Sequence, residues 1–174
     1  MIGDIMNNKG FTLIEVLAVV AIIAIIGAVS VPGVINTINN SKKSSYRMMI
    51  KNIKTASSSL FEEVEFGDSN LYQYTSSGVK SESKLEVSKV NSDTQNLEVY
   101  QIITNLQTLL SNGFLKGTTR EKNGRKVLSL NNPLNDKDIG FCQIVIRKVV
   151  DLSSSKSSYE VIGNSTDEVC PKID

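Results

Sequence analysis

The chain has 174 residues, 19 basic and 18 acidic side chains, a formal net charge of +1 and 40% hydrophobic residues. That length suits one globular domain plus an extended helix, and the near-zero charge leaves no electrostatic footprint for nucleic acid. No histidine is present, which excludes histidine-dependent triads, Cys-His dyads and imidazole metal sites.

Residues 1–10 form a short polar leader with one acid, Asp4, and one base, Lys9. With the terminal amine it is weakly positive, as befits the cytoplasmic side of a membrane. From Phe11 to Val31 there are 21 residues, of which 13 are Phe, Leu, Ile or Val and one, Glu15, is charged. As a helix this run is roughly 30 Å long, the thickness of a bilayer's hydrocarbon core. Its large apolar side chains offer about 4 to 8 kcal/mol towards insertion, against about 3 kcal/mol for a carboxylate at mid-bilayer and less near a helix end. The segment should insert, and the retained carboxylate calls for a partner. The Gly10–Phe11 bond lies where an enzyme at the membrane face can reach it. A cut there would remove residues 1–10 and leave an ammonium on Phe11, one helical turn from Glu15. The two charges can neutralise each other within one chain or between neighbours. Two other readings compete: a plain signal anchor that remains monomeric, and a secretory signal removed after Ala28-Val29-Ser30. Glu15 inside the apolar run and the long amphipathic continuation argue against removal there.

The segment Lys9-Gly10-Phe11-Thr12-Leu13-Ile14-Glu15 and the apolar run behind it resemble the prepilin signal of type IV pilins and pseudopilins. The match covers about the first quarter of the chain. The resemblance implies a membrane prepilin peptidase that cuts after Gly10 and methylates Phe11. It makes Glu15 the filament-assembly residue, pairing with a neighbouring subunit's amino terminus. Pro32 falls where many pilins carry a helix-kinking proline, and it cannot donate to the carbonyl of Ala28.

The implied fold is α+β: a long amino-terminal helix, half transmembrane and half amphipathic, packed on a small antiparallel β-sheet head, the pilin fold. The expected divisions are a leader (1–10), a transmembrane or filament-core helix (11–33), the amphipathic half (34–67) and a globular head (68–174). In the amphipathic half, Ile38, Tyr46, Met49, Ile50, Ile53, Leu60 and Val64 recur at helical spacing, and Gly67 is a natural stop. One helix from Thr12 to Phe66 would be roughly 80 Å long. Residues 68–93, rich in Ser, Asn and Lys, read as a loop with one short element.

A second helix is expected from Thr94 to Asn112, on a stripe of Leu97, Tyr100, Ile103, Leu106 and Leu110, capped by Asn112-Gly113. Asn123-Gly124 predicts a hairpin pairing 118–122 with 125–130. Beyond Asn132-Pro133, Ile139 to Val150 is the strongest strand, and Ser158 to Ile162 a further strand antiparallel to it. Cys142 and Cys170 lie in the exported part, where disulfides persist. A bridge and two free thiols both fit the residues; many pilins close a carboxy-terminal loop this way, and the resemblance implies the bridge.

No glycine-rich phosphate loop occurs in a strand-turn-helix context. Glu62, Glu63 and Glu65 read as a solvated face, Asn135-Asp136-Lys137-Asp138 as a polar turn, and Asn164-Ser165-Thr166 as a chance glycosylation triplet. Neither catalytic residues, nor a metal, nor a cofactor is expected. The implied function is structural: a pilus subunit for adhesion, motility or aggregation, with a secretion or competence pseudopilin as the alternative. Implied partners are identical or related pilins, the prepilin peptidase and the assembly platform in the cytoplasmic membrane. The precursor would be single-pass with its head outside, and the product an extracellular filament at the cell surface.

Overall fold

The computed structural model describes residues 11–67, 70–90, 96–122, 124–163 and 166–173, with the backbone alone at 29–32 and 122. The architecture is α+β, a long helix followed by small antiparallel sheets. Contacts divide the chain into two compact units, Met1–Ser41 and Lys42–Asp174.

Helix α1, Leu13–Glu65, is assigned without a break over 53 residues, through Gly27, Pro32 and Gly33. In the first unit its described side chains are exposed. In the second unit the helix buries Met49, Ile53, Ala56 and Leu60. Their spacing of three or four residues puts them on one face. Phe61 is fully buried too and meets the Tyr159 ring edge-on at 5.8 Å. Gly67, at φ 83°, follows the last helical turn; its left-handed backbone favours glycine.

The main sheet has four antiparallel strands in the order β3 (Ser88–Val90), β4 (Leu97–Asn105), β7 (Gln143–Asp151) and β8 (Lys156–Gly163). Strands β4 and β7 pair over their whole length, from Leu97 opposite Asp151 to Asn105 opposite Gln143. Ile102, Ile144, Ile146 and Val161 from this sheet join the α1 face, Leu106, Leu109 and Leu110 in one hydrophobic core. Two hairpins complete the head: β1 (Tyr72–Tyr74) with β2 (Lys80–Lys84), and β5 (Thr118–Lys122) with β6 (Arg125–Ser129). The second turns at Gly124, φ 72°, as the Asn-Gly signal requires; Asn123 lies outside the described residues.

The expected second helix from Thr94 to Asn112 is corrected. Residues 97–105 are strand β4, and α2 spans Leu106–Ser111 alone. Val99, Tyr100, Ile102, Ile103 and Thr104 are β-branched or aromatic, and such side chains favour a pleated surface. Asn105, in an extended conformation, ends the strand and caps the helix by accepting from Thr108 N at 2.9 Å. The helix ends at Asn112, and Gly113 follows at φ 86°. The stretch read as a loop from residue 68 to 93 holds three short strands, β1 to β3.

The tail returns to the core. Cys142 and Cys170 are joined by a disulfide across 28 positions, with Cα atoms 5.6 Å apart. Beyond it Ile173 is 2% exposed. Lys172 N donates to Tyr46 Oη at 3.1 Å, and Asn132 Nδ2 to Val169 O at 3.2 Å.

Candidate assembly site at the amino terminus

Thr12 stands immediately before the first helical residue, and Glu15 is the third residue of the helix. An α-helix begins with N–H groups that lack partners within the helix, and here two side chains answer them reciprocally. Thr12 N donates to Glu15 Oε2 at 2.8 Å, while Glu15 N donates to Thr12 O at 3.0 Å and approaches Thr12 Oγ1 at 3.4 Å. The Thr12 hydroxyl also donates to Glu15 Oε2 at 2.9 Å. This is a capping box, Thr-x-x-Glu before an apolar run. The pattern Thr12-Leu13-Ile14-Glu15 carries it in the sequence, and gives Glu15 a role in the helix start besides its charge. The carboxylate is also at the positive end of the helix dipole, where an acidic group is favoured.

Behind this turn the helix is, by length and composition, long and apolar enough to cross a membrane. Residues 5–31 match the family model described as the prokaryotic N-terminal methylation motif. The amino terminus is thus similar to the class III signal peptide of type IV pilins. The motif supports a pilin-like or pseudopilin secreted precursor, and in general implies processing by prepilin peptidase and pilin assembly. Comparison of the whole chain with curated proteins and with solved structures finds no match.

The residues expected to act at this signal are placed unevenly. Gly10, on the leader side of the expected cut, lies outside the described residues, as does the rest of the leader. Phe11 is exposed just ahead of the helix. Its nitrogen is here a peptide N–H rather than an ammonium, and the Glu15 carboxylate is held by Thr12 instead. Pro32 is within the helical run, and its side chain lies outside the described residues.

Elsewhere two acidic residues near the end of α1, Glu62 and Glu65, have partners. Lys148 Nζ donates to Glu65 Oε1 and Oε2 at 2.8 and 2.6 Å. Burial and the neighbouring Glu62 carboxylate push the Tyr159 phenol up to about 12. In the loop 131–138, Asn131 Nδ2 donates to Asp136 Oδ1 at 2.8 Å, and Asp138 Oδ1 accepts from Gly140 N at 3.1 Å. A local donor thus reaches one carboxylate oxygen of each of these aspartates, as in a polar turn. Asn164 and Ser165 lie outside the described residues.

A second polar cluster escaped sequence reasoning. Asn105 Nδ2 donates to Tyr74 O at 2.8 Å, Asn112 Nδ2 to Tyr72 O at 2.9 Å, and Thr108 Oγ1 accepts from Tyr74 N at 3.0 Å. Side chains of α2 and its caps therefore hold strand β1 in addition to its pairing with β2. These partners are more than 30 positions apart in the chain, and no local pattern announces them.

Proposed function

We propose that this protein is a structural subunit of a type IV pilus. Prepilin peptidase cuts between Gly10 and Phe11 and methylates Phe11. Subunits leave the cytoplasmic membrane through the assembly platform and polymerise by gathering their Phe11–Val31 helices into a filament core, with Glu15 neutralised by a neighbour's amino terminus. The head then faces outward and sets adhesion, motility or aggregation.

One observation carries this reading: a single carboxylate in the first turn of an apolar, membrane-length helix, inside the matched methylation motif. A charge in hydrocarbon is costly unless paired, and the cation freed by cleavage would arise beside it. The α+β head on the amphipathic half agrees with the same plan.

The test is mass spectrometry of the native protein's amino terminus together with Glu15→Val expressed beside wild-type subunits. The expected mature chain starts at methylated Phe11. The variant should be processed and inserted yet largely excluded from filaments. A mature chain that still starts at Met1 with the peptidase present, or normal incorporation of the variant, refutes the proposal. The pseudopilin alternative shares the processing and the charge pairing and differs in fibre length, so electron microscopy of native cells separates the two.

A further inference from the structure

Within the unit from Lys42 onward, the two most exposed large hydrophobic side chains among the described residues are Phe66, 88% exposed, and Met48, 60% exposed. Met48 lines an open groove of about 670 Å³ on the head, with Lys51 and Thr55 of α1 on one side and Phe114, Leu115 and Lys116 on the other. The volume lies within the range of about 300 to 1,000 Å³ that holds specific occupants. Its floor is apolar and its two charged side chains are both cationic. The chain has no acidic residue between Val16 and Phe61, so this part of α1 offers no carboxylate of its own to those lysines. The groove fits an apolar side chain with a carboxylate beside it.

The end of α1 presents that combination. Glu65 is bound to Lys148 and Glu62 acts on Tyr159, whereas Glu63 and Phe66 are both exposed. They are three residues apart, and Phe66 N still donates to Glu62 O at 2.9 Å, so the two share one helical face. Phe66 cannot reach Met48 of its own molecule, because 18 positions of helix, roughly 27 Å, lie between them.

We propose that Phe66 of one subunit seats against Met48 and Phe114 in the head groove of the next, with Glu63 beside Lys51. Two different patches meet in such a contact; repeated head to tail without closing a ring, it propagates into an open filament. Phenylalanine on a methionine thioether is a favourable pairing, and opposite charges at the rim set the register. The inference rests on the polymer reading and names the contact between its heads.

The experiment uses filaments assembled by cells from the full chain. Both native cysteines are bridged, which leaves introduced thiols as the reporters. Filaments of the double variant Met48→Cys, Phe66→Cys should yield a ladder of covalent multimers on mild oxidation, and each single variant should yield none. A double variant that assembles without a ladder, or a single variant that cross-links to itself, overturns the proposal while the polymer reading stands. Charge reversal is a second readout should the thiols hinder assembly. Lys51→Glu and Glu63→Lys should each lower filament yield about tenfold, and the pair together should restore it to within about twofold of wild type. Equal loss in the double reversal also overturns the proposal. Wild-type subunits that never polymerise with the assembly machinery present would defeat the polymer reading itself, and this contact with it.

Discussion

Replacing both Cys142 and Cys170 with alanine should destabilise the head by about 3 to 4 kcal/mol. The bridge closes a loop across 28 positions, and opening such a loop restores about 12 cal/mol/K of chain entropy to the unfolded state, close to 3.6 kcal/mol at 25 °C. The folded state keeps most of what it has. Ile173 remains in the core, and the bonds from Lys172 N to Tyr46 Oη and from Asn132 Nδ2 to Val169 O do not depend on the sulfurs. The effect therefore acts on the unfolded chain, and the folding rate and the denaturant slope should show it. The assay is urea unfolding of the detergent-solubilised full chain, followed by circular dichroism. With a slope of about 2 kcal/mol/M, the midpoint should fall by about 1.5 to 2 M. A fall of less than about 0.5 M, equivalent to about 1 kcal/mol, would refute the loop-closure reasoning.

Phe61→Ala should cost about 3 to 5 kcal/mol, since it leaves a cavity where a fully buried ring met Tyr159; the same urea experiment reads it, and a loss under about 1.5 kcal/mol would contradict the packing. Asp151 accepts from the Ser153 and Ser154 hydroxyls and from the Ser153 N–H at the β7–β8 turn, which pulls its carboxyl down to about 2. Its folded pKa lies below the unfolded one, so its contribution is present above about pH 4 and is lost as pH falls towards 2. Asp151→Asn should flatten the acid side of the stability profile in that window, and an unchanged profile would deny the group this role. Thr12→Val removes one side of the capping box, worth about 1 kcal/mol. In micelles, amides of the first turn should exchange about fivefold faster, and unchanged protection would mean the cap does not hold the helix start.

The amino-terminal motif was legible because its information is local: a Gly-Phe step, a charge and an apolar run within thirty residues. The Asn123-Gly124 hairpin and the stop at Asn112-Gly113 were legible for the same reason, each resting on backbone geometry that few residues tolerate. Strand β4 was not. Its core-facing positions are Tyr100, Ile102 and Thr104, and the polar threonine hides the alternation that would mark a strand. That threonine is tolerated inside because its hydroxyl donates to Gln73 Oε1 at 3.2 Å, a partner 31 positions away. Leu97, Tyr100 and Ile103 meanwhile imitate a helical stripe at a spacing of three. Non-local pairing with β7 decides the matter, and no window of sequence contains both strands.

The capping box changes how the lone membrane charge should be understood. Both bonds that Thr12 donates end on one carboxylate oxygen, Oε2. An ionised carboxylate has about four lone-pair sites on its two oxygens, so a carboxylate held in this way retains capacity for a further donor. Thr12 thus fixes the side chain near the start of the helix and offsets part of the cost of keeping it charged in lipid. On the polymer reading, a neighbour's ammonium adds to this arrangement without first breaking it. On that same reading the subunit waits in the membrane with Glu15 already ordered, and the entropy of positioning it need not be lost on docking. A glutamate without the threonine would carry the same charge and match the same partner, yet would enter each docking step as one of several rotamers. The two residues should accordingly be regarded as one device, in which the first orients what the second offers.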